Sequence, residues 1–310
     1  MIALEAVSAY LPPTEVALAD VQGWLGITDA ELKIYRRFYG YDKMRWAPGV
    51  AVDELLLAAA RGLSGLAGHR DRIRYVIQAR TVQTVAPYAV NVPHDVGRRL
   101  GLAHAATFTV TDHACASGLL ALDVAGALLA ADGDPEARAL ILTGEKAFTP
   151  TIAFSPARTV MGEGTAACLV RLGGDRDRLL AYATATYGEY HNTMSLDAAL
   201  TARFQQAYPA LLAEVIREAT DRAGLRLADL AMIVPHNSNR VSWVHTCRLL
   251  GFPLGQVFLD NIPVTGHCFC ADPFVNYVCV TERGLLRRGE AYLLVSVGLG
   301  ATFSAMVFRH

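Results

Sequence analysis

The feature that most limits what this chain can fold into is a near-repetition of its own pattern. Arg72–Ala79 is a short apolar run of strand character, followed by an amphipathic stretch from Val92 to Leu100. Gly101-Leu102 leads into a second strand-like run, Ala106–Val110, then a turn at Asp112–Cys115. An Ala/Leu-rich helical stretch from Ser117 to Ala131 and a third run, Ala137–Thr143, complete the unit. The order then returns, with Leu230–His236 as strand, Val241–Leu250 as helix and Gly251-Phe252 standing for Gly101-Leu102. Gln256–Leu259 reads as the next strand, Gly266-His267-Cys268 as the turn, a helix runs through Asn276 to Leu286, and Ala291–Val297 closes the copy. Glu163–Val170 and Ala301–Val307 occupy matching places after these last strands. Short strands alternating with longer helices predict an α/β chain of mainly parallel sheets wrapped by helices. The boundary is expected near Gly173 to Arg178, giving halves 1–173 and 174–310, with Asp197–Arg222 an extra long helix opening the second.

Composition fits sheets covered on both faces: 53% of the 310 residues are hydrophobic and only 18% are charged. No apolar run reaches the roughly 20 residues of a membrane span. The opening Met1–Ala6 lacks a basic-then-apolar leader, so the expected setting is cytoplasmic, with no membrane. A net charge of −1 without a basic stripe argues against nucleic acid. The pairs Arg36-Arg37, Arg98-Arg99 and Arg287-Arg288 either meet a phosphate or are solvated helix faces. Six cysteines in such a chain read as reduced thiols. His267-Cys268-x-Cys270 lacks the spacing and second ligand pair of a zinc knuckle, so no metal is expected.

Matching strand-to-helix turns of a duplicated α/β fold converge where the halves meet, and ligands favour such crevices. Three of these turns carry chemistry. Cys115 stands in Asp112-His113-Ala114-Cys115-Ala116-Ser117-Gly118 at the start of a helical segment. There the free amides and positive dipole end suit a thiolate, although a small buried core residue is the plainer alternative. His236 ends a strand in Pro235-His236-Asn237-Ser238-Asn239-Arg240, and His267 lies in Thr265-Gly266-His267-Cys268. A cysteine with histidine partners supplies what acyl transfer needs: a sulfur nucleophile, imidazoles to move protons, and amides for the oxyanion. Cys168, Cys247 and Cys279 lie in apolar patterns and read as core.

Taken together, Ala114–Gly118, Met161-Gly162-Glu163-Gly164-Thr165-Ala166-Ala167, Pro235–Asn239, Gly266-His267 and Gly298-Leu299-Gly300 resemble the β-ketoacyl-ACP synthase III branch of the thiolase superfamily over nearly the whole chain. The resemblance implies a five-layered α-β-α-β-α fold, a homodimer and an acyl donor on coenzyme A or acyl carrier protein, with no permanently bound cofactor. By position Cys115 matches the family nucleophile and His236 its catalytic histidine. The Gly298–Gly300 loop lies where an oxyanion-hole amide is found, so the Cys115 and Gly300 amides are the expected pair. Trp24 and Arg37 fall near the segment that meets the coenzyme A nucleotide. Asn239 keeps the amide that positions the second histidine or its substitute. Arg240 adjoins Val241, which stands where a basic residue usually greets the carrier protein.

His267 departs from the pattern, which has asparagine there. Either it preserves condensation with a malonyl thioester, as in Cys-His-His members of the superfamily, or Asp272 orients an imidazole as a general base. Asp272 also reads as a helix cap ahead of Pro273. Transfer of the acyl group from Cys115 to a small hydroxyl or amine acceptor in specialised metabolism is the leading expectation. Decarboxylative condensation is the alternative, and a non-catalytic partner subunit is the second. Pocket-lining residues are expected in Gln83–Val92 and Lys146–Thr159.

Overall fold

A computed structural model describes residues 1–82, 90–147, 149, 154–155, 159–191 and 196–310. Most of the two expected pocket-lining stretches therefore falls outside the described residues. Nine strands form one sheet: β1 (Ile2–Tyr10), β2 (Ile73–Ala79), β3 (Ala106–Val110), β4 (Arg138–Gly144), β5 (Thr165–Leu172), β6 (Arg178–Thr186), β7 (Leu230–Pro235), β8 (Ala291–Gly298) and β9 (Thr302–Arg309). Their spatial order is β3-β2-β4-β5-β1-β6-β9-β8-β7.

This order is a palindrome about the β1/β6 seam. β2 pairs in parallel with β3 and β4, and β4, β5 and β1 then alternate antiparallel. On the other side β7 pairs in parallel with β8, and β8, β9 and β6 alternate in the same way. The mate of β3 is reduced to one parallel bridge between Ile233 and Val257. Two sequence expectations are corrected here. The sheet is mixed, not mainly parallel, because each copy adds two antiparallel strands. Gln256–Leu259 is not a strand, since a 3-10 turn over Leu254–Gln256 leaves only Val257 extended enough to pair. On this palindrome we propose that 1–173 and 174–310 are the two copies.

Helices complete five layers. α1 (Val52–Arg61) and α2 (Val92–Arg99) cover the first half from outside. α4 (Ala198–Arg222) and α5 (Arg240–Leu250) cover the second. α3 (Ser117–Asp132) and α6 (Asp272–Glu282) lie between the halves, in a core that draws Ile77 and Ile141 from one side and Leu294 and Met306 from the other. α3 is apolar on nearly every side because a central layer meets sheet on both faces. The stretch Ala114–Asp132 is long and apolar enough to cross a membrane by composition, yet its apolarity is that of this middle layer.

The seam itself is thin. β1 and β6 share one residue pair, Ala3 with Arg178, supplemented by the Leu4 amide donating to the Asp177 carbonyl at 3.0 Å. A close approach elsewhere joins the halves near the central turns. A Cβ on Gly298, at the end of β8, would stand 1.9 Å from the His113 carbonyl oxygen. Gly298→Ala is therefore expected to displace the turn that carries Cys115. It should cost ~1–3 kcal/mol in urea unfolding, as overpacking does, and slow modification of Cys115. Unchanged stability and unchanged Cys115 reactivity would contradict this packing.

Candidate active site

Cys115 lies in a single 3-10 turn, Ala114–Ala116, directly before α3. Ala114 takes φ +46°, a left-handed conformation that costs a side-chain-bearing residue about 1–3 kcal/mol. The second half repeats this device: Phe269, with φ +55°, opens the 3-10 turn Phe269–Ala271 directly before α6. The structural mate of Cys115 is thus Cys270, and the match expected at Gly266-His267-Cys268 is displaced. The two turns face each other. Cys270 Sγ lies 3.1 Å from the Ala114 carbonyl, and Thr81 Oγ1 lies 3.3 Å from Cys115 Sγ and 3.4 Å from Cys270 Sγ.

Three of the expected residues form a line. His267 Nε2 is 3.2 Å from Cys115 Sγ, and its Nδ1 is hydrogen-bonded to Asp272 Oδ2. Cys115, His267 and Asp272 are 4%, 5% and 0% exposed, so this line runs without competing water. Asp272 is not a cap for α6. Its carboxylate instead accepts from the Cys268 amide at 2.7 Å, the Asn237 amide at 2.6 Å and Asn237 Nδ2 at 3.1 Å. The backbone of His267 is pinned from both sides: its amide donates to the Val160 carbonyl at 2.8 Å, and its carbonyl accepts from Gly162 at 2.9 Å. A Cβ on Gly162 would meet the Thr265 carbonyl oxygen at 1.8 Å, which explains a glycine in the Met161-Gly162-Glu163 motif. Burial alone would lower the proton affinity of His267. The charges of Asp272 and of the Cys115 sulfur, with the hydrogen bonds to both, instead raise it to about 10.

His236 is placed differently. Its ring centre lies 5.8 Å from that of His267, and its Nε2 is 3.1 Å from the hydroxyl of Tyr208. Nδ1 is buried without a partner among the described residues. Burial, then the charge of His267, lowers His236 to about 3, so it stays neutral. Tyr208 was not singled out from the sequence, although its signal was present: it precedes Pro209 inside α4. A proline there removes a helix hydrogen bond and restricts its predecessor, as a functional bend would.

The remaining candidates lie around this centre. Asn239 caps α5, its side chain accepting from the Ser242 amide at 3.0 Å, and the amide that grips the Asp272 side is Asn237. Asn237 Nδ2 donates to the Gly266 carbonyl at 3.1 Å, and its Oδ1 accepts from Asn276 at 2.8 Å. Trp24 rests tilted on Trp46 with ring centres 5.2 Å apart. Arg37 is exposed above the Phe38 ring, and exposed Arg240 begins α5 close to Gly40. Gly300 takes φ +89° in the loop after β8, and Ser296 Oγ donates to the Cys115 carbonyl at 2.8 Å. Among the arginine pairs, Arg36 meets Asp42, while Arg98 and Arg99 meet Asp95 and Asp53.

Residues 220–310 match the family model described as 3-oxoacyl-[acyl-carrier-protein] synthase III C terminal. The β-ketoacyl-[acyl-carrier-protein] synthase III of Roseiflexus castenholzii is 28% identical over 290 residues, covering 84% of either chain. The solved structure of 3-oxoacyl-[acyl-carrier-protein] synthase III from Aquifex aeolicus superposes with a TM-score of 0.85 at 20% identity over the full length of both chains. That of ChlB3, described as an acyltransferase, superposes with a TM-score of 0.86 at 19% identity, over 99% of this chain and 97% of that one. These two structural likenesses establish the fold.

The raised proton affinity of His267 has a consequence for stability. A histidine whose folded value exceeds its unfolded value contributes stability in full below the unfolded value of about 6.5. That contribution is lost as pH rises through the folded value of about 10. The stability gap between the unmodified chain and His267→Gln should be widest below neutrality and narrow steadily in alkali. Urea unfolding across a pH series reads it, and a gap that widens with pH would refute a protonated His267.

Proposed function

We propose that this chain, synthase III-like within the thiolase superfamily, is an acyltransferase that loads an acyl group on Cys115 and passes it to a small hydroxyl or amine acceptor. The observation that carries this reading is the unbroken line Cys115–His267–Asp272. In the first half-reaction the sulfur attacks the carbonyl of a coenzyme A or carrier-protein thioester, and His267 Nε2 holds the thiol proton. The amides of Cys115 and Gly300 are assigned to the oxyanion. Collapse expels the donor thiolate, which takes the proton from Nε2. Acylation abolishes the charge on sulfur, and with it part of what raised His267. The imidazole, held by Asp272, is then able to accept the acceptor's O–H or N–H proton as the new bond to the acyl carbon forms. Collapse of that adduct returns the proton to the departing Cys115.

Tyr208 supports this assignment, because it occupies the Nε2 of His236. Condensation with a malonyl thioester is the second reading, favoured by two imidazoles 5.8 Å apart beside the cysteine. Trp24, Arg37 and Arg240 are assigned to the donor's carrier at the rim of the site. A homodimer belongs to the same reading, supported by the outer edge of β3, which pairs with no further strand among the described residues. So does a cytoplasmic setting in specialised metabolism, with which six free cysteines agree.

Intact-protein mass spectrometry after mixing with acyl-coenzyme A should show one acyl adduct, absent in Cys115→Ala. Asp272→Asn should slow release of that acyl group to an alcohol or amine by about 10²–10⁴. Labelled malonyl thioester offered to the acyl-enzyme should yield no carbon dioxide. Carbon dioxide with a ketoacyl product would replace this reading by the condensing one.

A further inference from the structure

The hydroxyl between the two symmetry-related cysteines is the feature that the reaction scheme leaves unused. The chain leaves β2 at Ala79, and the Arg80 amide makes a last strand-like bond to the Val110 carbonyl at 2.9 Å. The next two amides turn to a side chain. Glu145, 1% exposed, accepts from the Thr81 amide at 2.6 Å through one carboxylate oxygen and from the Val82 amide at 2.9 Å through the other. A bidentate grip on consecutive amides fixes the peptide plane between them, and therefore the direction of the Thr81 side chain. Glu145 in turn follows β4 immediately, on a strand buried along its whole length.

Thr81 owns one proton and has two sulfurs within reach, with the Glu145 carboxylate close by as a third acceptor. The thiol of Cys270 is already directed to the Ala114 carbonyl at 3.1 Å. His267 Nε2 lies on another side of Cys115 Sγ at 3.2 Å. With both Glu145 oxygens already accepting from backbone amides, the arrangement that uses every donor sends the Cys270 proton to Ala114, the Cys115 proton to His267, and the Thr81 proton to Cys115. A donor aimed at the sulfur stabilises the charge it carries in attack and fixes which way it points.

We propose that Thr81, clamped by Glu145, is a positioning residue for the Cys115 sulfur, holding it in line with His267 and apart from its structural twin Cys270. This inference rests on Cys115 being the acylated nucleophile, but its test does not require an acyl donor. Full-length Thr81→Val, Thr81→Ser and Glu145→Gln variants are alkylated with iodoacetamide, and the rate at Cys115 is read by peptide mass spectrometry, with Cys279 as internal reference. Thr81→Val should slow Cys115 by about ten- to a hundredfold, the worth of one hydrogen bond to a charged group. Thr81→Ser should return the rate to within about twofold, because it restores the donor. Glu145→Gln should slow Cys115 to a similar extent, and the double variant Thr81→Val/Glu145→Gln should be no slower than either single one. The rate at Cys279 and the melting temperature of the Thr81 variants should not move. Normal alkylation of Thr81→Val, failure of serine to rescue it, or additive losses in the double variant would each overturn the proposal. The Thr81 pair decides the matter even where Glu145→Gln does not fold. Failure of the acyltransferase reading would look different, as an unmodified chain whose Cys115 alkylates readily but takes no acyl group from any thioester.

Discussion

A carboxylate with no access to water is the constraint around which this site is organised. Asp272 is fully buried, and an isolated charge there would cost many kcal/mol. It is tolerated because four donors converge on it: the Cys268 and Asn237 amides, the Asn237 side chain and His267 Nδ1. Those donors come from two loops, one after β7 and one before α6, so satisfying one charge fixes the relation between the loops. Asn237 continues the network to Gly266, Thr265 and Asn276, and Tyr41 donates to its carbonyl at 2.8 Å. The rigidity of His267 is thus a by-product of neutralising Asp272. With an asparagine at 267 the carboxylate would lose its cationic partner, so His267 and Asp272 belong together.

The two histidines show how the same residue type takes opposite states a few ångströms apart. His267 has a carboxylate on one nitrogen and a sulfur on the other, and its proton affinity rises despite burial. His236 is buried with a phenol hydroxyl, the Val295 carbonyl and the neighbouring positive ring, and burial with that ring makes its affinity fall. Each state reinforces the other, because a neutral His236 does not repel the proton on His267. The environment therefore sets the two imidazoles apart, one favouring its proton and the other held neutral.

Much of this was legible from the chain. The repetition of strand and helix runs carried over into a palindromic sheet, and the turns flagged for chemistry do supply Cys115, His267 and Asp272 to one place. What failed was register and reach. The order of strand, turn and helix matches Gly266-His267-Cys268 to the Cys115 turn, whereas the structural match is set by where α3 and α6 begin, which makes Cys270 the mate. Gln256–Leu259 carried strand propensity, but a turn before it and the Asn261-Ile262-Pro263 helix start after it left no length for pairing. The resemblance implies Asn239 as the positioning amide, yet it directly precedes a helix, and its side chain is spent on the cap. Thr81 and Glu145 had no local signal at all, since their contacts exist only once separate strand ends are brought together.

The thin seam between β1 and β6 deserves to be considered as a mechanical joint. Cys115 and Thr81 are carried on one side of it, His267, Asp272 and Tyr208 on the other. The separation between the Cys115 sulfur and the His267 ring accordingly depends on how the two halves dock. A roll of one half against the other would have to strain the bonds that tie His267 to Val160 and Gly162 of the first half before it changed the sulfur–imidazole distance. The central helices α3 and α6 form the axle that sets this angle, so substitutions along it, remote from the site, reach the sulfur–imidazole distance without changing any group in the line.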